Sequence, residues 1–315
     1  MKLMHKILIK LFGLILVAIS FFYIWKSVDS ENIILLYESI SADKICFLIL
    51  LSFVYFLINF IRAVNWTDLI CMELDGTNLS RRNAIAVYLK TEIVKYIPSN
   101  IMHFAGRQIM MKNHKVGNKI TAVASSADIF FVLAASGLAI ITGLYIIKID
   151  LPVSYIINSL KFKIALSAIF LIGLIYVWFA IKKKIIVFKF LNPKNIFYIF
   201  RIFFFSIFIF LINAFIFTAL INYVSEFDFT IKEFIFIWSA YSFCWAAGLL
   251  VPGAPGGLGV REALIVIIFR QHYGEAEMVT AGILMRLITI AGDMIALAAG
   301  TMLHKNTAKI TIRNK

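Results

Sequence analysis

Long apolar runs alternate with short charged stretches along most of this chain. The runs fall at 7–25, 45–61, 120–147, 164–181, 202–224 and 278–303. Each is long enough, at about 1.5 Å per helical residue, to cross roughly 30 Å of hydrocarbon. Two further apolar segments, 84–105 and 234–270, are broken by proline and glycine. The first break centres on Pro98. The second is Pro252-Gly253-Ala254-Pro255-Gly256-Gly257-Leu258-Gly259. Proline has no donor N–H and glycine gains most by leaving a helix, so neither segment continues as one helix. Non-helical backbone at membrane depth survives only inside protein or along a wet cavity. The pattern predicts an all-α polytopic membrane protein with six full spans and two re-entrant hairpins, or eight spans on another count.

Charge between the runs orients them. Lys2, Lys6 and Lys10 place the N-terminus inside, and loop 26–44, with four acidic residues against two basic, suits the outside. Arg81 and Arg82 precede segment 84–105, while Arg107, Lys112, Lys115 and Lys119 follow it. A crossing would strand one of these clusters outside, so the segment is expected to enter and leave on the inner face. Segment 182–201 and the tail are basic and inside, whereas 224–233 and 270–277 are net acidic and outside. Loop 148–163 is net basic although this order puts it outside. Hairpins dipping in from opposite faces suggest an inverted repeat. Arg107 follows Pro98 by nine residues and Arg261 follows Pro252 by nine, with Tyr88 and Tyr241 at comparable distances upstream. Asp128 and Asp293 lie in similar frames in the helices that follow the hairpins.

Composition narrows the class. The chain is 62% hydrophobic with a mean hydropathy of +0.91, and no segment is polar enough for a separate soluble domain. Residues 1–315 are expected to form one membrane domain. A net charge of +14 could suggest nucleic acid, but it is spread through short inner loops, so no nucleic-acid partner is expected. The three cysteines and five histidines are too dispersed to hold a metal, and no nucleotide, zinc-protease or nucleophile-elbow motif occurs. No metal and no cofactor is expected.

The charges at depth are the candidate chemistry. Arg107 and Arg261 each follow a helix break, and a guanidinium fork suits a phosphate or carboxylate. Free N–H groups at the next helix start favour an anion as well. Gly256, Gly257 and Gly259 would let a headgroup approach the backbone. Asp128, Asp293 and Arg286 are charges within apolar helices, and either carboxylate could hold an arginine or carry a proton. The bland alternatives are an anchoring Arg107, a local Arg261–Glu262 pair, a local Glu92–Lys95 pair and structural buried ion pairs.

Pro255-Gly256-Gly257-Leu258-Gly259-Val260-Arg261-Glu262, the upstream Tyr96-Ile97-Pro98-Ser99-Asn100…Gly106-Arg107 and a late Arg286 resemble the lysylphosphatidylglycerol synthase/flippase transmembrane family over nearly the whole chain. In the helix after the first hairpin, Ser125-Ser126-Ala127-Asp128 keeps only the Asp of that family's Glu-Arg-x-x-Asp element. No soluble aminoacyl-transfer domain like that of the synthases is expected from these residues. The resemblance therefore implies the lipid-translocating half, akin to stand-alone members associated with cell-envelope glycoconjugates. It implies a substrate-binding role for Arg107, Arg261, Glu262, Arg286 and the three glycines, and a bacterial inner-membrane protein with both termini in the cytoplasm. The expected partner is an anionic or polyprenyl-linked lipid. Two other readings stay open at this stage. One is a membrane-embedded transferase with Glu262 as base; the other is a small-solute or ion transporter.

Overall fold

The computed structural model describes residues 42–74, 79–96, 102–146, 195–225, 227, 229–251 and 254–313. The expected spans 7–25 and 164–181 lie outside these residues, as do Pro98 and Pro252. The described chain is helical: α1 (Ala42–Glu73), α2 (Arg81–Glu92), α3 (Met102–Lys112), α4 (Asn118–Ile146), α5 (Ile196–Ser225), α6 (Ile231–Leu250), α7 (Val260–Tyr273) and α8 (Glu275–Arg313). Single 3-10 turns follow α2 at Ile93–Tyr96 and precede α7 at Pro255–Gly257.

Among the described residues, five helices are long and apolar enough to cross a membrane. Four of them carry the expected spans at 45–61, 120–147, 202–224 and 278–303. The fifth is α6, the first arm of the second hairpin, whose 20 residues reach about 30 Å. The corresponding arm of the first hairpin, α2, has only 12 residues. The first arms of the two hairpins are therefore unequal in length.

α1 also runs well beyond its apolar stretch, through Arg62 and Asp68 to Glu73. Arg62 and Asp68 are accommodated because each meets opposite charges from other helices. Asp68 is buried and receives both Arg81 from the start of α2 and Arg201 from α5. α6 starts at a capping box: Thr230 N–H donates to Glu233 at 2.6 Å, and Glu233 N–H donates back to the Thr230 hydroxyl. The second break is made by glycine geometry, with φ of 58°, 74° and 83° at Gly256, Gly257 and Gly259. Other residues rarely adopt such values.

The expected repeat is visible in how the helices pair. Exchanging α1–α4 for α5–α8 maps the set of helix neighbours onto itself. α2 packs along α8, the helix after the second hairpin, and α6 packs along α4, the helix after the first. α1 with α2 matches α5 with α6, α1 with α8 matches α5 with α4, and α3 with α4 matches α7 with α8. The two crossed pairs are drawn close by small residues, as is usual where lipid gives helices no hydrophobic reason to associate. A side chain at Gly143 would collide with Ser239 of α6, and one at Gly300 would come 3.0 Å from the Ala86 carbonyl of α2.

One core cluster joins α1 to α5–α8 around Phe217, Tyr241, Phe269 and Ile288. A second joins α1 to α2–α4 around Trp66, Tyr88, Met111 and Phe131. The Phe-rich face of α5 divides as its pattern suggests. Phe204, Phe208 and Phe215 point outward, while Phe210 is buried edge-on against Trp245.

Candidate functional site

The two hairpin tips meet. A Cβ on Gly256 would lie 3.5 Å from the Tyr96 ring, and the 3-10 turns at Ile93–Tyr96 and Pro255–Gly257 touch. Around them is a void of about 640 Å³, counting the part open to the surroundings. Its polar wall holds Arg62, Glu92, Lys95, His103, Arg261 and Arg286, and its apolar wall includes Phe104, Ile129, Val132 and Leu249. Arg62, Ile129, Val132 and Arg286 sit well inside α1, α4 and α8, away from the helix ends.

The first hairpin contributes a closed charge network. Glu92 at the end of α2 pairs with Arg62 at 3.3 Å, Lys95 at 3.2 Å and Arg107 at 2.8 Å. Arg62 also reaches Asp128 of α4 at 3.5 Å. Lys95 pairs with Asp293 of α8 at 2.9 Å, and Asp293 accepts from the Tyr96 hydroxyl at 2.5 Å and from Asn59 at 2.8 Å. Arg107 is completely buried, its guanidinium 3.7 Å from the centre of the Tyr88 ring. It stands behind the cavity wall, held by Glu92, and two of its nitrogens have no hydrogen-bond partner.

The second hairpin is arranged differently. Glu262 accepts from the Gly259 N–H at 2.7 Å, which caps α7, and pairs with Arg286 at 3.7 Å rather than with its neighbour Arg261. Arg286 donates to the Gly256 carbonyl at 3.1 Å and lies over the Tyr96 ring. It thus ties α8 to both tips. Gly257 lies directly against Gly248 of α6, where a Cβ would come 3.1 Å from backbone. Arg261 lines the cavity, faces Trp245 at 5.8 Å, has an Nε without a hydrogen-bond partner, and makes no close ion pair among the described residues, with Glu262 acting on it only at longer range.

The charge balance follows. Arg62, Lys95, Arg107, Arg261 and Arg286 are five cations, and Glu92, Asp128, Asp293 and Glu262 are four carboxylates. Every carboxylate already has a base. Among the described residues the site thus carries one more cation than carboxylates, and Arg261 is the cation without a close ion pair.

Of the residues singled out from the sequence, Gly256, Arg261 and Arg286 line the cavity. Gly257, Gly259 and Glu262 shape its second tip, Asp128 and Asp293 anchor the network, and Arg107 sits behind it. Pro255 opens the 3-10 turn at that tip. Sequence reasoning missed Tyr55, Asn59 and Arg62. Their spacing of four and three puts them on one face of α1, and that helical period was the available signal. It also missed His103, which is buried, lines the cavity and has an Nδ1 without a partner. Among the described residues no three His, Cys, Asp or Glu side chains gather as metal ligands would.

The profile of the lysylphosphatidylglycerol synthase TM region matches residues 10–296. The chain belongs to that family. It is thus a membrane protein of a lipid-related family, and the hairpins and cavity are that family's region as this sequence builds it. No curated protein matches the chain.

Proposed function

We propose that the protein is a flippase-like transporter that moves an anionic or glycosylated lipid across the bacterial inner membrane. One observation carries this reading: Arg261, nine-tenths buried, faces the cavity and makes no close ion pair among the described residues. A phosphate or phosphodiester headgroup supplies the missing charge and fits the guanidinium fork. The start of α7 beside it adds favourable partial charge. With Arg81 and Arg201 on the inner face, both termini lie in the cytoplasm. A transferase would need a carboxylate free to act as base. Glu262, the sequence candidate, is occupied by the Gly259 N–H and by Arg286.

Proteoliposomes carrying a fluorescent anionic phospholipid test the proposal. Arg261→Gln should abolish translocation at unchanged protein density, and Arg261→Lys should retain only part of it. Full translocation by Arg261→Gln would remove the anion site and the function built on it.

A further inference from the structure

Among the described residues, the charged side chains lining the cavity are the cations Arg62, Lys95, Arg261 and Arg286 and the carboxylate Glu92. Glu92 is already shared by Arg62, Lys95 and Arg107. The wall therefore suits an anionic group and offers no free carboxylate to an ammonium on the same ligand. Two of the lining side chains are both nine-tenths buried and short of a partner: Arg261 at Nε and His103 at Nδ1. A buried hydrogen-bonding group left unmet is costly, so both are places where a ligand gains.

The two residues hold equivalent places. His103 is the second residue of α3, as Arg261 is the second residue of α7. Each of these helices follows one of the two breaks, and the first turn of each borders the cavity. α3 is fixed from behind. Arg107, one turn after His103 on the same face, is held by Glu92 at 2.8 Å. Gly106 leaves only 3.3 Å between an added Cβ and Thr91 of α2. The clamp behind the wall thus sets where the imidazole stands. A guanidinium brings a fixed charge, whereas a neutral imidazole brings one donor and one acceptor nitrogen. A hydroxyl both donates and accepts, so it satisfies the ring in either tautomer.

Resting on the anion-site reading of Arg261, we infer that His103 is a second headgroup contact that selects a phosphodiester lipid with an uncharged, hydroxyl-bearing substituent. The phosphate sits at Arg261, and a hydroxyl of the substituent meets His103. A bare phosphate monoester leaves the imidazole unmet. An ammonium-bearing headgroup sets its positive charge among four cations, with the lining carboxylate already engaged. Such like-charge placement rejects a ligand even where its phosphate fits.

The test uses the full-length protein in dioleoylphosphatidylcholine vesicles with a trace of chain-labelled phosphatidylglycerol, phosphatidic acid or phosphatidylethanolamine. Dithionite quenching of the label follows translocation. Phosphatidylglycerol should cross roughly tenfold faster than either of the others, the scale of one hydrogen bond in a buried site. In His103→Phe, which keeps a ring without its nitrogens, the preference over phosphatidic acid should fall to near parity. His103→Asn, which returns an acceptor near the place of Nδ1, should recover part of it. Native mass spectrometry of the same proteins in detergent reads lipid binding apart from transport and should give the same order. Equal handling of phosphatidylglycerol and phosphatidic acid by the unaltered protein would overturn the inference, and that comparison stands even where His103→Phe does not fold. A preference that survives in His103→Phe would overturn it too, since His103 would then be only structural. Binding preference that depends on His103, with no lipid translocated, would keep the subsite and remove transport. Translocation that needs Arg261 but is indifferent to His103 would keep the proposed function and remove the subsite.

Discussion

The two hairpins occupy equivalent places in the helix pairing, and each carries an arginine nine residues after a proline, yet the arginines have opposite fates. Arg107 lies completely buried against Glu92, which stands fifteen residues before it. The residue fifteen before Arg261 is Ala246. One hairpin thus holds its arginine in a close ion pair, and the other, whose Glu262 turns to the Gly259 N–H and Arg286, does not. The first is a structural clamp whose Glu92 gathers three bases, and the second is left with a cation facing open space. Duplicated architecture sets where the arginines stand, and the side chain fifteen residues earlier, Glu92 against Ala246, separates the ion-paired arginine from the other.

The strongest way to break this comparison is at Glu92. Glu92→Gln leaves Arg62, Lys95 and Arg107 without their shared carboxylate. Removing one side of a buried charge cluster costs about 3–5 kcal/mol. A large drop in thermal unfolding midpoint in detergent is expected, with Trp66 as reporter beside Arg107. Unchanged stability would mean that the first hairpin is no clamp.

At the second tip, Gly257→Ala tests backbone rather than charge. The added Cβ meets the Gly248 backbone at 3.1 Å with φ at 74°, and neither side can yield as a flexible side chain would. Strain of about 1–3 kcal/mol is expected. Translocation should be lost in protein that still inserts. Normal transport by this variant would show that the tip has no role beyond connection.

Much of this arrangement was legible in the sequence. The breaks at Pro98 and at 252–259 announced two hairpins because proline and glycine act locally, whatever surrounds them. The periodic apolar runs likewise marked four of the five long helices. What the sequence concealed depends on partners far along the chain. The run at 45–61 stops at Arg62, but α1 continues because Glu92 and Asp128 receive that arginine from α2 and α4. Lys95 looked like a local partner of Glu92, and it is, but it also reaches Asp293, 198 residues away. The motifs around the two breaks do not distinguish Arg107 from Arg261; the carboxylate at position 92 takes its meaning only from packing beside Arg107.

Ala246→Glu would sharpen the comparison by giving the second hairpin the carboxylate of the first. α6 passes Arg261 closely at this level, with Trp245 facing the guanidinium and Gly248 beside its Cβ. An internal acid at position 246 should compete with the ligand for Arg261. Translocation is expected to fall roughly tenfold, equivalent to about 1.4 kcal/mol of lost ligand preference. The thermal midpoint should hold or rise, because the new charge is paired. Unimpaired transport would show that Arg261 is not waiting for an anion.

The smallest effect is expected at Glu262, and it separates transport from chemistry. Its oxygen caps α7 at Gly259, and glutamine keeps an acceptor at the same place. Its pairing with Arg286 is long, at 3.7 Å, and Arg286 retains the Gly256 carbonyl. Glu262→Gln should therefore cost less than about 1 kcal/mol in stability, the scale of a weakened cap. Translocation in proteoliposomes should stay near that of the unaltered protein. A catalytic base behaves otherwise, since an amide cannot take the proton and turnover would collapse. Lipid extracts from the same vesicles, followed for any new species, make the distinction direct. A product that forms with the native chain and disappears in Glu262→Gln would make the second hairpin a reaction centre. Its free arginine would then hold a donor phosphate for transfer rather than a headgroup for passage.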